Sequence, residues 1–285
     1  MRPFFVKHLL FAGGILIFNA NLASASIPSL DALKMRLHGA RAGAHQGGFF
    51  FGHWPNTLRN FESARSSGVD VVEMDLHLSK DGVPVVYHDD TLDLWTHCKG
   101  KVHDKTLEEL KACRFKFSKS SIPTYEEILV WSQGRVVVNA EFKDFESIEP
   151  AIRVVQKYDA YSWTYFQTKK SRERYNQAHN FDPKIALLYV ISGSDDLNWA
   201  LSQDEALVLI ELHKETRLPQ FIDAIHASGR LVTENAWHLG SPYELFSASC
   251  RLMFDLGIDI VISNRPKGCV KQRNEFIAGL PAQEY

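Results

Sequence analysis

The stretch Gly68-Val69-Asp70-Val71-Val72-Glu73-Met74-Asp75-Leu76-His77-Leu78 is dense in β-branched and aliphatic residues and carries two acids two positions apart. Such a run reads as a β-strand. Side chains alternate across a strand with a period of two, so Glu73 and Asp75 share one face while Met74 takes the other.

Seven further short apolar runs of the same kind lie at 41–45, 136–142, 163–168, 184–190, 206–212, 230–233 and 258–263. Between them, 57–67, 106–112, 124–132, 148–158, 171–179, 197–202, 219–228 and 241–256 have helical character. Several open on Ser or Thr caps, and Gly68, Gly134, Gly229 and Gly257 follow helix ends. This alternation predicts a parallel sheet covered by helices, and eight strands close a TIM-type (β/α)8 barrel. Nothing in 26–285 resembles a repeat, a low-complexity tract or a linker, so one domain is expected. The segment 84–121 is too long for one loop and holds a strand-like run at 83–88. It reads as a small insertion after the second strand, contributing to a substrate rim.

In a parallel barrel the face shared by Glu73 and Asp75 is the interior, where two carboxylates need a cation: a divalent metal ion or a salt-bridge partner. The third strand ends Asn139-Ala140-Glu141-Phe142-Lys143, which places Glu141 and Lys143 on one face near the barrel end that carries active sites. Glu73, Asp75 and Glu141 are therefore expected to hold one metal ion, and oxygen-only ligation points to Ca2+ or Mg2+. Lys143 supplies a cation able to neutralise an anionic substrate such as a phosphate. His45 ends the first strand before Gly47-Gly48, and His88 ends the strand-like run before Asp89-Asp90. Imidazoles titrate near neutrality, so these two are the expected acid and base. The other histidines are expected on the surface or satisfied in the core.

With 285 residues, 45% of them hydrophobic and 23% charged, the chain can form one large barrel or two modest domains. In residues 1–25, Arg2 and Lys7 precede an apolar run at 9–18, and Ala23-Ser24-Ala25 offers small residues spaced for cleavage. This predicts a secretory signal peptide and an exported protein, periplasmic or secreted. The apolar run falls well short of the roughly 20 residues that cross a bilayer, so no stable membrane insertion is expected. Without Arg2 and Lys7 there remain 30 basic residues against 34 acidic ones, a net charge of −4 that does not suit nucleic acid. Four cysteines in an exported chain predict two disulfides, Cys98 with Cys113 and Cys250 with Cys269, each closing a short loop. Their spacings match no zinc motif.

An ordered series of motifs resembles the glycerophosphodiester phosphodiesterase family: Ala44-His45-Gln46-Gly47, Pro55-Asn56-Thr57-Leu58, the 68–75 run, and Lys80-Asp81-Gly82-Val83-Pro84-Val85-Val86-Tyr87-His88-Asp89. The likeness continues through Ile122-Pro123-Thr124-Tyr125-Glu126-Glu127, the Glu141 to Lys143 strand, His226-Ala227-Ser228-Gly229 and Gly257-Ile258-Asp259. It implies hydrolysis of a small phosphodiester to an alcohol and glycerol 3-phosphate, with metal at Glu73, Asp75 and Glu141, acid/base catalysis by His45 and His88, and Lys143 near the phosphate. Four departures from the family pattern bear on the substrate. Gln46 replaces the family's Arg, the family's Glu before Asn-Thr is absent because Trp54-Pro55 run directly into Asn56, its Trp-Thr-Val-Asn stretch on strand 7 reads Glu234-Asn235-Ala236-Trp237, and its closing Thr-Asp-Arg-Pro reads Ser263-Asn264-Arg265-Pro266. Gln46, Glu234, Trp237 and Arg265 are thus the expected substrate contacts. Two alternatives stay open: a phospholipase of the same barrel type, with Phe49-Phe50-Phe51 and Trp54 as a lipid-facing lip, and a non-catalytic phosphodiester-binding relative.

Overall fold

The computed structural model describes residues 27–239 and 249–279. The expected signal segment 1–25 and the first half of the expected helix 241–256 lie outside the described residues. Nine strands form one sheet: β1 (Arg41–Ala44), β2 (Val71–Leu78), β3 (Pro84–Val86), β4 (Val137–Phe142), β5 (Thr164–Gln167), β6 (Ala186–Val190), β7 (Leu207–Leu212), β8 (Leu231–Asn235) and β9 (Ile260–Ser263). All but β3 pair in parallel in the order β1-β2-β4-β5-β6-β7-β8-β9, and β9 pairs back onto β1. The result is a closed eight-stranded TIM barrel, each strand falling on one of the eight expected runs.

Around it lie α1 (Pro28–Leu37), α2 (Leu58–Ser66), α3 (Leu107–Ala112), α4 (Tyr125–Ser132), α5 (Ile148–Tyr158), α6 (Arg172–Phe181), α7 (Ser194–Leu201), α8 (Pro219–Ala227), α9 (Ser249–Asp255) and α10 (Pro266–Ala278). Thr106 with Glu109, and Thr124 with Glu127, form reciprocal capping boxes that start α3 and α4. The helix expected at 197–202 begins earlier, at Ser194, and neither α1 nor α10 was expected.

The period of two sorts the strands into layers. Val72, Met74 and Leu76 of β2, with Val138, Ala140 and Phe142 of β4, pack outward against helices. Val71, Val137, Tyr165 and Ile260 face inward near the strand starts, where Leu30, Leu33 and Leu37 of α1 cover them. Burying each of these leucines contributes about 1.5–3 kcal/mol, so α1 is the plug that closes the N-terminal end of the barrel.

β3 pairs antiparallel with the end of β2, Leu76 opposite Val86, and begins the expected insertion. The insertion has its own small core of Val85, Tyr87, Leu92, Val102, Leu110 and Phe115. The Cys98–Cys113 disulfide lies within it, while Cys250–Cys269 ties α9 to α10; both bridges are the expected pairs.

Candidate active site

The register of β2 on β4 puts Glu73 beside Asn139 and Asp75 beside Glu141. Adjacent strands lie about 4.8 Å apart. Oxygen atoms of Glu73, Asp75 and Glu141 accordingly come within 4.8 Å of one another, and all three residues are buried. Lys143 reaches back between them, its Nζ 2.8 Å from Asp75 Oδ1 and 2.5 Å from Glu141 Oε1. A second ammonium, Lys169, lies 2.8 Å from the same Glu141 oxygen, and Asn56 Nδ2 donates to Asp75 Oδ2 at 2.7 Å.

These neighbours divide the carboxylates electrostatically. Burial, with Asp75 and Glu141 alongside, pushes the Glu73 carboxyl well above its ordinary range. Burial also opposes ionisation of Asp75, but the Lys143 ammonium, His88 and the Asn56 hydrogen bond together outweigh it and hold Asp75 below its ordinary value. Lys143 is itself buried, yet the two carboxylates raise it above its usual value and keep it charged. Three hard oxygen donors, one of them held out of its ordinary charged range by burial and by its acidic neighbours, form a set that fits a Ca2+- or Mg2+-like cation.

Both histidines are oriented through Nδ1. His45 Nδ1 lies 2.8 Å from Asn264 Oδ1, an atom that can only accept, so Nδ1 carries the proton. Nε2 is then the basic nitrogen, 3.9 Å from Glu73 Oε2. Burial lowers the His45 pKa, and the Trp237 ring covers the imidazole at a centroid distance of 4.5 Å. His88 Nδ1 lies 2.6 Å from Asp89 Oδ1, and Asp89 Oδ2 accepts from Trp95 Nε1 at 2.9 Å. His45 and His88 line one cleft of about 370 Å³ at the C-terminal mouth of the barrel.

The loop after β1 is built for this placement. Gly47 and Gly48 both have positive φ, and a Cβ on Gly48 would meet Pro266 at 2.5 Å. Asn60 of α2 donates to the carbonyls of Gln46 and Gly48, fixing the turn that carries His45.

The structure brings His45, Gln46, Trp237, His88, Glu73, Asp75, Glu141 and Lys143 into one neighbourhood. Glu234 stands apart. Its carboxylate is fully buried and is bound by Arg217 through Nε at 2.7 Å and through Nη2. Arg265 precedes α10 and lines a neighbouring cleft with Phe50 and Phe49, the latter shared with the cleft of the two histidines. Asn56 and Asn264 stood in quoted motifs without a role. Lys169 and Glu211 had no sequence signal. Glu211 is buried in the barrel, where Gln167 and Asn235 donate to it, and burial beside Glu141 and Glu234 pushes it up to about 8.

Residues 45–268 match the glycerophosphoryl diester phosphodiesterase family model. The chain belongs to this family. A solved glycerophosphoryl diester phosphodiesterase from Parabacteroides distasonis is 22% identical, with a TM-score of 0.75 over 89% of this chain and 93% of that one. An Oleispira antarctica phosphodiesterase, solved in complex with the product sn-glycerol-3-phosphate, is 23% identical, with a TM-score of 0.68 over 83% of this chain and 97% of that one. A curated glycerophosphodiester phosphodiesterase of Bacillus altitudinis is 40% identical over 110 residues, which span 35% of this chain and 44% of that protein. The chain therefore matches less than half the length of that relative, whereas its family match runs from His45 to Gly268.

Proposed function

We propose that the chain is a phosphoric diester hydrolase that cleaves glycerophosphodiesters to an alcohol and glycerol 3-phosphate, using His45 and His88 for proton transfer. One divalent ion, Ca2+ or Mg2+, would be held by Glu73, Asp75 and Glu141. The observation that carries this reading is the convergence, in one cleft, of two imidazoles with committed Nδ1 atoms on a buried cluster of three carboxylates.

His45, kept neutral by burial, takes the proton of the attacking hydroxyl at Nε2, whether from water or from the substrate. His88, braced by Asp89, delivers a proton from its Nε2 to the departing alkoxide. Lys143 balances phosphate charge from its seat between Asp75 and Glu141. When bound, the divalent ion supplies further positive charge and polarises the phosphoryl oxygens. Gln46 contacts the substrate from the β1 loop, whereas Arg265, at the start of α10, lies in the neighbouring cleft beyond Phe49. Trp237 packs on His45, and Glu234 acts through Arg217.

Export is the proposed fate, supported by the N-terminal segment and by two disulfides. Among the described residues no helix is long and apolar enough to cross a membrane. The proposed partner is a small-molecule phosphodiester, not nucleic acid.

The test is product analysis on glycerophosphocholine with and without chelator: glycerol 3-phosphate must form, and chelator must stop it. A second reading, a phospholipase, is favoured by the outward-facing rings of Phe49 and Phe51, 67% and 106% exposed. Faster turnover of a lysolipid than of glycerophosphocholine in the same assay supports that reading.

A further inference from the structure

The cleft that holds His45 and His88 has a second wall, mainly aromatic, that meets the proton-transfer groups only where Asp89 braces His88. Phe49, Trp54, Tyr87, Trp95 and Phe115 line it, and Asp89 is the carboxylate among them. Phe49 and Trp95 are exposed and Trp54 is half-buried, and Tyr87 and Phe115 back them from the insertion's core: Trp54 to Trp95 at a centroid distance of 5.4 Å, Trp54 to Phe115 at 6.0 Å, and Tyr87 to Phe115 at 6.0 Å. Trp54 Nε1 donates to the Lys116 carbonyl at 2.6 Å, and the Lys116 N–H donates to the Trp95 backbone carbonyl at 2.9 Å, so the Trp54 indole and the Trp95 backbone are tied to one segment of the insertion.

Among the described residues, no lysine or arginine lines this cleft. Lys116, the near neighbour, turns its ammonium away to the carbonyls of Asp93 and Leu94. Aromatic faces carry negative quadrupole charge, and with a carboxylate beside them the wall attracts a cation. It offers few hydrogen-bond acceptors, which penalises a primary ammonium with its three N–H groups. A quaternary ammonium has no N–H to satisfy. A hydrocarbon chain would gain from the rings but would have to lie against Asp89.

The wall is continuous with the two histidines, so a group bound on it lies within reach of the phosphate being cleaved. We propose that this aromatic wall is a headgroup site for a quaternary ammonium, so that the preferred substrates are choline-type diesters. The inference rests on the hydrolase reading above and narrows its substrate class.

The experiment compares kcat/KM of the metal-supplemented chain on the choline ester of glycerol phosphate, its neutral isostere the 3,3-dimethylbutyl ester, and the ethanolamine ester. Shape and apolar surface are the same in the first two, so their ratio isolates the charge. The choline ester should lead by roughly 3- to 30-fold, the range of a cation–π contact. Trp95→Phe, which keeps a ring but not the N–H to Asp89, should retain the preference, and Trp95→Leu should remove most of it. A dimethylbutyl ester cleaved as well as the choline ester, or a ratio unmoved by Trp95→Leu, overturns the site. If no ester is hydrolysed, the hydrolase reading fails separately. Calorimetric titration with choline and with 3,3-dimethylbutanol then decides the wall: tighter choline binding supports it, and equal or absent binding overturns it.

Discussion

The backbone N–H of Gln46 donates to Oε2 of Glu73 at 2.8 Å. Gln46 has a φ of 52°, which turns this N–H toward the carboxylate cluster, while its carbonyl accepts from Asn56 N and Asn60 Nδ2. The backbone thus supports Glu73 whatever the side chain at 46, and Gln46 lines the cleft that holds His45 and His88.

Gln46→Arg should therefore leave the carboxylate cluster intact and add a charge-assisted phosphate contact. Replacing a neutral by a charged donor gains about 1–1.5 kcal/mol, so kcat/KM on simple glycerophosphodiesters should rise roughly tenfold. A large loss on every substrate would show that the amide itself has a positive role.

Divalent metal should be required for turnover and should also stabilise the fold, because it relieves repulsion among Glu73, Asp75 and Glu141. At a hundred times its Kd a ligand adds about 2.7 kcal/mol, which for a domain of this size is about 5–10 °C in Tm. Calorimetry with and without Ca2+ or Mg2+ checks this apart from activity. An unchanged Tm together with full turnover in chelator counts against the metal site.

Replacing His45 or His88 with Ala should lower kcat by roughly 10²- to 10⁴-fold at unchanged Tm, as expected for losing a general base or acid. Asp89→Asn should lower kcat in the same direction by a smaller factor, since Asp89 acts on proton transfer through His88. Near-full activity in either alanine variant would remove that histidine from the mechanism.

His226 on α8 bonds Asp259 at 2.8 Å, and that bond raises the His226 pKa above its ordinary value. A raised folded-state pKa gives stability that is complete below about 6.5 and is lost as pH rises through the folded value. The stability advantage of the wild type over His226→Gln should thus be larger near about pH 6 than near about pH 8. Urea titrations at the two pH values measure it, and an advantage that grows with pH contradicts the linkage.

No thiol should titrate in the folded protein before reduction, since both cysteine pairs are bridged. Loops of this size are worth about 3 kcal/mol each on the chain-entropy account, so reducing both bridges should lower Tm by roughly 12–24 °C. Four thiols reacting in the native, unreduced protein would rule the bridges out.

The parts of the fold legible in the sequence were those written in local periodicity. Eight apolar runs stood out because strands alternate every two residues and helices every 3.6. The same period placed Glu73 with Asp75, and Glu141 with Lys143, before any neighbour was known. Thr106 and Thr124 announced their helices because a cap lies within four residues of what it satisfies. Tertiary structure alone decided which groups meet across long separations. Only the closed barrel's register brings Asp75 to Glu141, and only its mouth brings Asn264 to His45 and Lys169 to Glu141. Glu234 was expected at the substrate, but Arg217 claims it inside the barrel, and α1 found its partners on strand starts far along the chain. These pairings depend on strand order and stagger, which barrel closure sets and no local pattern encodes.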